Sequence, residues 1–588
     1  MLRNKSVFSI LALLVMLSML LSACGGGAAT EAPAAPATEA PAMTEAPAAT
    51  EAPAATEAPA MTEEPAGTPA DTIIIGTTDT IASFDPADAY ATRDWEVLRN
   101  ISDGLLMWEP GSGDKLVPGL ATDFPEVSDD GLTYTFTLKD GIKFGDGTDL
   151  DANVFVDHMN RVFAIGPDCP NGVAGALVTP YVDSVEAPDA KTVVFHLKAP
   201  VAYFLQLVAA APYRPLAPGQ LTADACDLYP DMPLYGTGPW YVSEFTADEQ
   251  IVFEPNPYYT GDLPAQVSKV IVRFFADPQT EALAVQNGEI DVAWRFLGPE
   301  LFDQLQGADG INAAQINGGS IRYLIVNHQM APFDDPNVAK ALASAVDRDA
   351  LSDTVFGGAV NPIYSMVPPG FLGANEAFDA QYASPDLEAA KAYLAASGYD
   401  ENNPVEIELW YPPEHYGTQT AAWVQVIQQQ LEATGAMKVT LQAQEWSTYA
   451  PACTGGEAYS ICVLGWFYDY PDASNYMEPF VYNGGIGTMV TTAAEGSDYG
   501  VAINDQAQQL VDYLTQSDVE TDLTARAALI GQAQDVYADL VVTVPLFLNP
   551  EYMVFRDNIQ GISSLDNADA LNVGGTIEFS YSVLSKTP

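Results

Sequence analysis

The chain is poor in basic residues and in histidine. Its 588 residues include 22 Lys and Arg against 78 Asp and Glu, which gives a formal charge of −56, and there are only four His. Such a charge repels phosphate backbones, and the basic residues form no long run, so nucleic-acid binding is excluded. The spacings HExxH, GxSxG and GxxxxGK[ST] are absent from the sequence. The sequence therefore predicts neither an enzyme nor a bound cofactor.

Only one long apolar run occurs, at the start of the chain. Arg3 and Lys5 precede a stretch from Val7 to Leu21, which is followed by Ser22-Ala23-Cys24-Gly25. The run is short for a membrane span and is typical of a signal peptide over residues 1–23. The small residues before Cys24 resemble a bacterial lipobox, whose cysteine is acylated and becomes the new N-terminus. Ordinary signal cleavage beside an incidental cysteine is the alternative.

Residues 24–70 are rich in Thr, Glu, Ala and Pro, with repeats such as Thr44–Pro47 and Thr50–Pro53. Regular proline keeps a chain extended and repeated glutamate keeps it solvated, so this segment is predicted to tether a folded body to the membrane. Only two of the 22 basic and seven of the 78 acidic residues precede Pro65. The negative charge therefore belongs to the body, where we interpret it as a solubility feature in preference to attraction of cationic ligands.

The remaining cysteines form an even set in a chain that carries an export signal. No CxxC or His-rich spacing accompanies them, which favours disulfides over a metal site. Cys453 and Cys462 flank a Gly455-Gly456 turn and are predicted to pair with each other. Cys169 then pairs with Cys226 by elimination.

The body alternates strand and helix patterns. The β-branched run Thr72–Gly76 predicts a buried strand, and the alternation over Leu132–Leu138 predicts a hairpin with Ile142–Phe144. A long helix is predicted over Asn337–Phe356 and a further strand over Ile461–Leu464. Such a mixture over more than 500 residues predicts an α/β body of two lobes with a ligand cleft between them.

Seven sequence blocks occur in a recognisable order along the body. They are ATDFPEVSDDGLTYTFTLKDGIKFGDGT (121–148), YGTGPWYVSEF (235–245), NPYYTG (256–261), ALAVQNGEIDVAW (282–294), APFDDPNVAKALASAVDRDAL (331–351), LAASGY (394–399) and GWFYDYPD (465–472). Together they resemble the family 5 extracellular solute-binding proteins, the peptide- and nickel-type receptors of ABC importers. The resemblance covers about residues 72–580.

This resemblance implies a type II, two-lobe periplasmic-binding-protein-like fold. Lobe I is expected over 71–319 and 546–588, with a small subdomain near 115–232, and lobe II over 320–545. The implied function is that of a monomeric receptor, held at the cell envelope by its lipid anchor, which captures a peptide-like solute and delivers it to an ABC permease and ATPase complex. An oligosaccharide or another solute is the alternative ligand. A scaffolding lipoprotein without a transport role is the remaining alternative.

The GWFYDYPD block carries the sharpest ligand-binding prediction. It follows the predicted strand Ile461–Leu464, and open α/β sheets place ligands at strand ends. Peptide-binding members carry a Trp-x-x-Asp motif here, whose carboxylate pairs with the ammonium group of the peptide. The resemblance therefore implies Asp469 as the ammonium anchor and Trp466 as an apolar wall beside it. A surface turn capped by Asp469 is the alternative.

Three further aromatic residues are candidate ligand contacts. Tyr90 follows the first strand in a region that lines the cleft of relatives, and Tyr468 lies next to Asp469 in the sequence. Trp240 follows a Gly-Thr-Gly-Pro loop that lies close to the cleft in the family. Core packing is the alternative for each, because Tyr and Trp bury well when their polar tips are bonded.

One stretch departs from the pattern of strict dipeptide receptors. Those receptors carry an Arg, shortly after the strand matching Ile407–Tyr411, that holds the carboxylate of the ligand. Here the stretch Tyr411–Gly417 contains no Arg. A strict dipeptide ligand is therefore disfavoured, whereas longer peptides and other amphiphilic solutes stay compatible. His415, within this stretch, is expected to be a surface residue.

Overall fold

The computed structural model describes residues 71–109, 115–295, 297–316, 319–413, 415–417, 419–497, 499–562 and 579–587. The predicted signal peptide, Cys24 and the predicted tether lie outside the described residues. The described residues all fall within one contact unit, Gly67–Pro588.

Lobe I is built on a seven-stranded mixed sheet. Its strands lie in the spatial order Ile311–Ile316, Glu551–Arg556, Val292–Trp294, Thr72–Thr77, Lys269–Phe274, Gln250–Pro255 and Trp240–Thr246. The central strand Thr72–Thr77 is buried throughout, as its β-branched residues predict, and pairs in parallel with both neighbours. Its alternate side chains enter two apolar clusters, so helices cover both faces of the sheet. These helices are Thr92–Ile101, Pro278–Asn287 and Gly298–Leu305.

A small subdomain extends from lobe I. It contains a four-stranded antiparallel sheet in the order Glu126–Val127, Thr133–Thr137, Thr192–Leu197 and Val182–Asp189. Its helices are Ala152–Ile165, Val173–Leu177 and Phe204–Val208, with 3-10 turns at Gly166–Asp168 and Ala211–Tyr213. Shorter pairs in this half of the molecule are Leu106–Trp108 with Leu116–Pro118 and Ile559–Gln560 with Ser585–Lys586. The subdomain shares one apolar core with lobe I.

Lobe II has a six-stranded mixed sheet and its own core. The strand order is Asn361–Pro362, Thr543–Leu548, Ile321–Val326, Ile461–Trp466, Val405–Tyr411 and Met437–Ala443. The surrounding helices are Pro336–Ala345, Arg348–Phe356, Ala377–Tyr382, Leu387–Ala396, Thr420–Glu432, Trp446–Thr454, Glu478–Val481, Asp505–Val519 and Leu523–Leu540. Lobe II also contains the 3-10 turns Ala473–Tyr476 and Tyr482–Gly484 and the short pair Thr491–Thr492 with Val501–Ala502, and a further 3-10 turn, Tyr581–Val583, lies near the end of the chain. The predicted two-lobe α/β architecture is therefore present.

The chain crosses between the two sheets twice. It leaves lobe I after Ile316 and enters the lobe II sheet at Ile321, and it returns between Leu548 and Glu551. The two crossings are joined because the backbone N–H of Asn549 donates to the carbonyl oxygen of Ser320 at 2.9 Å. The boundary expected at residue 546 is therefore too early. The strand Thr543–Leu548 pairs with Ile321–Val326 and belongs to the lobe II sheet.

Two local predictions are corrected by the structure. The strand Thr133–Thr137 pairs with Thr192–Leu197 rather than with the following Ile142–Phe144, so the predicted hairpin does not form. The helix predicted over Asn337–Phe356 is two helices, which end at Ala345 and begin again at Arg348. The break has a local cause, since the side chain of Asp347 caps the second helix by accepting from the N–H of Ala350 at 2.9 Å.

Each half of the body holds one disulfide. Cys169 joins Cys226 in the small subdomain, and Cys453 joins Cys462 in lobe II between the end of a helix and the strand that carries the GWFYDYPD block. These are the pairs that the sequence favours.

The loop before Trp240 needs glycine because two backbone segments meet there. A Cβ on Gly236 would lie 2.2 Å from the carbonyl oxygen of Ile101. We expect Gly236→Ala to destabilise the protein by about 1 to 3 kcal/mol or more, as overpacking against backbone does, and to lower the midpoint of thermal unfolding. Gly175→Ala is the control, because a Cβ there meets nothing within 4 Å. An unchanged midpoint for Gly236→Ala would contradict this close approach.

Candidate ligand-binding site

Asp469 lies three residues after the strand Ile461–Trp466, at the end of the lobe II sheet that faces lobe I. Its Oδ1 accepts a hydrogen bond from the Tyr90 hydroxyl at 2.8 Å, and its Oδ2 accepts from Asn475 Nδ2 at 3.1 Å. Tyr90 belongs to lobe I, so the first of these bonds crosses the cleft. Tyr90 is 40% exposed and Asp469 is half-buried, so this pair lies close to the protein surface.

Asn475 brings Trp466 and Asp469 together. Its Oδ1 accepts from the backbone N–H of Asp469 at 2.8 Å and from the Trp466 indole N–H at 3.2 Å. Asn475 lies in a short 3-10 turn that Asp472 caps by accepting from the N–H of Ser474 at 3.0 Å. The sequence did not predict a role for Asn475. The only feature that could have indicated one is its position as a polar residue three residues after the capping Asp472.

The carboxyl group of Asp469 titrates close to the physiological range. Burial raises its pKa to about 6, while the hydrogen bonds from Asn475 and Tyr90 act in the opposite direction. The carboxylate is therefore ionised at neutral pH and becomes neutral as the pH falls through about 6. An ionised carboxylate in a half-buried recess forms strong charge-assisted hydrogen bonds with an ammonium group.

Two of the expected contact residues are packing residues instead. Trp240 is 0% exposed in the core of lobe I, and its indole N–H donates to Ser582 Oγ at 3.0 Å. Tyr468 is 6% exposed and packs beside Phe371 and against Gly319, where a Cβ would lie 2.7 Å from its ring. Both rings face the protein interior, which favours the core-packing alternative for Trp240 and Tyr468, and their role as ligand contacts stays a prediction.

A second cluster lies at the same end of the lobe II sheet. Arg322, the second residue of the strand Ile321–Val326, is 4% exposed, and its guanidinium carbon lies 4.4 Å from the centre of the Tyr416 ring. His415 is exposed, as expected, but its ring stacks on Trp446 at a centroid distance of 3.5 Å. Desolvation of the stacked ring and the charge of Arg322 lower the pKa of His415 to about 4, so the imidazole is neutral at pH 7.

Comparison with known proteins agrees with this geometry. A model of the bacterial extracellular solute-binding proteins, family 5 (middle), matches residues 115–488, which is more than half of the chain. The chain belongs to this family. Among its relatives, the periplasmic oligopeptide-binding protein OppA of Haemophilus influenzae is 25% identical over 516 residues, which cover 84% of this chain and 92% of the relative.

Solved structures share the fold of this family member. A Helicobacter pylori DppA structure, an ABC transporter-associated periplasmic binding protein in complex with the peptide STSA, superposes with a TM-score of 0.72 at 22% identity, covering 88% of this chain and 98% of that one. NikA from Brucella suis in complex with Fe(III)-EDTA gives a TM-score of 0.74 at 22% identity, with coverages of 88% and 100%. The predicted type II two-lobe fold is confirmed. Within the described residues, no group of three or more His, Cys, Asp or Glu is placed to hold a metal ion.

The lobes of this solute-binding protein also touch through the small subdomain. The ring of Tyr203, from the subdomain, stacks on Tyr470 of lobe II at 4.8 Å, and its hydroxyl donates to Glu478 Oε2 at 3.3 Å. The backbone N–H of Ala202 donates to the carbonyl oxygen of Asp518 at 2.6 Å. We call this group the subdomain contact.

Acidic groups dominate the subdomain contact on the lobe II side. Arg526 donates to both carboxylate oxygens of Asp472 at 2.7 Å and 2.7 Å. Burial and the neighbouring Asp518 raise the pKa of Glu478, and burial raises the pKa of Asp518 to about 6. Two adjacent buried carboxylates repel each other, so this pair retains a proton near neutral pH. Because of this shared proton, Glu478 and Asp518 can be buried together, although Arg526 is already paired with Asp472.

We expect Tyr203→Ala to shift the ligand-free protein toward an open arrangement. A stacked aromatic pair contributes about 0.5–1.5 kcal/mol beyond its buried area, so the loss should favour opening several-fold. Small-angle X-ray scattering should report a larger radius of gyration. Tyr203→Phe, which keeps the ring and loses only the bond to Glu478, should change the radius less. An identical radius for Tyr203→Ala and wild type, with both folded, would rule out a closing role.

Proposed function

We propose that this chain is an extracytoplasmic receptor that captures a short peptide-like solute between its lobes and delivers it to an ABC permease and ATPase complex. The observation that carries the proposal is the half-buried Asp469 carboxylate, which accepts hydrogen bonds from Asn475 of lobe II and Tyr90 of lobe I. A peptide has an ammonium group that matches such an acceptor. The names of the relatives, oligopeptide- and dipeptide-binding proteins, support the same class of ligand.

Binding and closure are coupled in this proposal. Asp469 and Trp466 come from lobe II, whereas Tyr90 comes from lobe I. A solute bound at Asp469 touches both lobes only when they are closed, so its binding shifts the population toward the closed arrangement. The closed form is then the form that docks on the permease. The chain acts as a binding protein, and its relatives are named for binding rather than for catalysis.

An oligosaccharide remains the second candidate ligand, and Trp466 is the feature that favours it. Its ring is partly exposed beside the cleft, and an aromatic face can pack against the apolar face of a sugar. A neutral sugar would not need the ionised carboxylate of Asp469. The two ligand classes therefore differ in their dependence on that one group.

Asp469→Asn tests the ligand class. Thermal unfolding should identify binders among di- to hexapeptides, oligosaccharides and Ni²⁺ chelates, because a ligand of the folded state raises the midpoint. For the peptide with the largest rise, the substitution should weaken binding by about 2 to 5 kcal/mol in calorimetry, as when one partner of a buried charge pair is removed. Unchanged peptide affinity would reject the anchoring role, and a rise with sugars alone would select the second candidate.

The pH dependence of binding supplies an independent check on Asp469. Its pKa of about 6 means that peptide affinity should be greatest near pH 7 and fall as the pH drops through 6, since the neutral carboxyl cannot pair with an ammonium. Affinity should also fall above about pH 8, where the peptide's own ammonium group loses its proton. Tyr90→Phe removes a hydrogen bond that lowers this pKa, so the loss of affinity should begin at a higher pH. Asp469→Asn should abolish this dependence. A wild-type profile that is flat from pH 5 to 8 would contradict the assignment.

We further propose that acylated Cys24 anchors the chain to the membrane. The described residues include no helix that is both long and apolar enough to span a bilayer, and the lipobox-like sequence around Cys24 offers an anchor of another kind. Cys24→Ser should move the protein from the membrane fraction to the soluble fraction. Ser22→Ala, which keeps a small residue before the cysteine, should leave it in the membrane fraction. If Cys24→Ser stays in the membrane fraction as the wild type does, the lipid-anchor assignment is rejected.

A further inference from the structure

Two carboxyl groups of lobe II meet at the subdomain contact, and we call Glu478 and Asp518 the carboxyl pair. They come from two different helices and lie within hydrogen-bonding distance of each other. Glu478 Oε2 accepts from the Tyr203 hydroxyl at 3.3 Å, and Asp518 Oδ2 accepts from the Tyr482 hydroxyl at 3.2 Å. The other two oxygens, Glu478 Oε1 and Asp518 Oδ1, are buried and have no donor group among the described residues. A proton shared by the pair supplies the missing hydrogen bond.

The carboxyl pair has no basic side chain of its own. The charge of Arg526 acts on both groups, but this guanidinium donates to both carboxylate oxygens of Asp472 and, through Nε, to the carbonyl oxygen of Ser517 at 2.9 Å. The residues after Pro65 that lie outside the described ranges include no Lys, Arg or His. Two adjacent carboxylates repel each other when both are ionised, so a proton takes the place that a second cation would have.

The remaining titratable groups around the carboxyl pair do not change charge near neutral pH. They are Asp472 and four phenols, those of Tyr181 and Tyr203 from the subdomain and of Tyr470 and Tyr482 from lobe II. Burial raises the pKa of every one of these phenols above its ordinary value of about 10, so they stay neutral. Asp472 is neutralised by its two bonds from Arg526. The carboxyl pair is therefore the part of this cluster that exchanges protons with water.

The subdomain covers the carboxyl pair in the closed arrangement. Both acids belong to lobe II, whereas Tyr203 and Ala202, whose N–H donates to the carbonyl oxygen of Asp518 at 2.6 Å, belong to the subdomain. Glu478 is 7% exposed as a result of this packing. Separation of the lobes admits water to the pair, and hydration favours the ionised form of a carboxyl group. The pair therefore holds its proton more tightly when the lobes are closed than when they are open.

We propose that closure of the lobes takes up a proton at the carboxyl pair, so that the ligand-free receptor opens as the pH rises through the neutral range. The proton comes from water and returns to it on opening. A group whose pKa is higher in the closed arrangement stabilises that arrangement at low pH, and this contribution is lost as the pH rises through the closed-state pKa. Burial raises the pKa of Asp518 to about 6, and burial and the charge of Asp518 raise that of Glu478.

The test compares the compactness of ligand-free variants across the pH range. Small-angle X-ray scattering from about pH 5 to 8.5 records the radius of gyration of wild type, Glu478→Gln, Asp518→Asn and Glu388→Gln. About 1 M NaCl shortens the Debye length to about 3 Å and so screens the general repulsion among the acidic residues. Glu388→Gln is the control, because it changes the net charge equally and the Glu388 side chain is 88% exposed.

The two amide variants mimic the singly protonated pair. An amide keeps an oxygen that accepts from the neighbouring tyrosine, and its NH₂ group donates to the remaining carboxylate, which therefore stays ionised at neutral pH. Neither variant can lose the bridging hydrogen as the pH rises. Asp518→Asn carries the test if Glu478→Gln does not fold, and circular dichroism at each pH identifies the folded samples.

The radius of gyration of wild type and of Glu388→Gln should increase between about pH 6 and 8, while that of Glu478→Gln and Asp518→Asn stays low. A difference of one pKa unit between the two arrangements changes the ratio of closed to open molecules about tenfold. At pH 8 this ratio should therefore be at least about tenfold higher in Glu478→Gln than in wild type.

Two results would overturn the proposal. The first is a wild-type radius that stays constant over the whole range in which the protein is folded. The second is an equal increase in wild type and in both amide variants, which would assign the opening to another acid of the lobe junction, such as Asp469 or Glu551. Because no solute is present, neither result depends on whether the cleft takes a peptide, so the inference and the proposed function are tested separately.

Discussion

The cost of removing charges from water is the constraint on which the organisation of this receptor depends. Where the chain buries a charge and supplies its partner, as in the pairs of Arg526 with Asp472 and Arg93 with Glu96, the result is structural. At the lobe junction the half-buried carboxylate of Asp469 has a different environment. Among the described residues its oxygens accept from the neutral donors Tyr90 and Asn475. In the proposed function, the ammonium group of the ligand supplies the opposite charge.

The same constraint relates closure of the lobes to their chemistry. The hydroxyl of Tyr90 reaches across the cleft to Asp469, while the subdomain contact joins Tyr203 to Tyr470 and Glu478. Both contacts bring polar groups out of water, and both are satisfied by hydrogen bonds rather than by full ion pairs. Such contacts hold the lobes weakly, which suits a receptor whose closed arrangement must be favoured by its ligand rather than by the chain alone.

The sequence predicted the architecture better than the site. Periodicity and motif order predicted two α/β lobes, and the strand before the GWFYDYPD block placed Asp469 at a sheet end. Side-chain direction was beyond such reasoning, because Trp240 and Tyr468 lie in the right segments and still turn inward. Asn475 was missed for the same reason, because its contacts depend on a 3-10 turn that folds it back onto Trp466 and Asp469.

The strong acidity of the chain restricts the ligands that the proposed receptor can take. With 78 acidic residues against 22 basic ones, the surface as a whole repels anions. A ligand with a carboxylate therefore needs a site where the local environment outweighs this field, because interactions between charges strengthen as water is excluded.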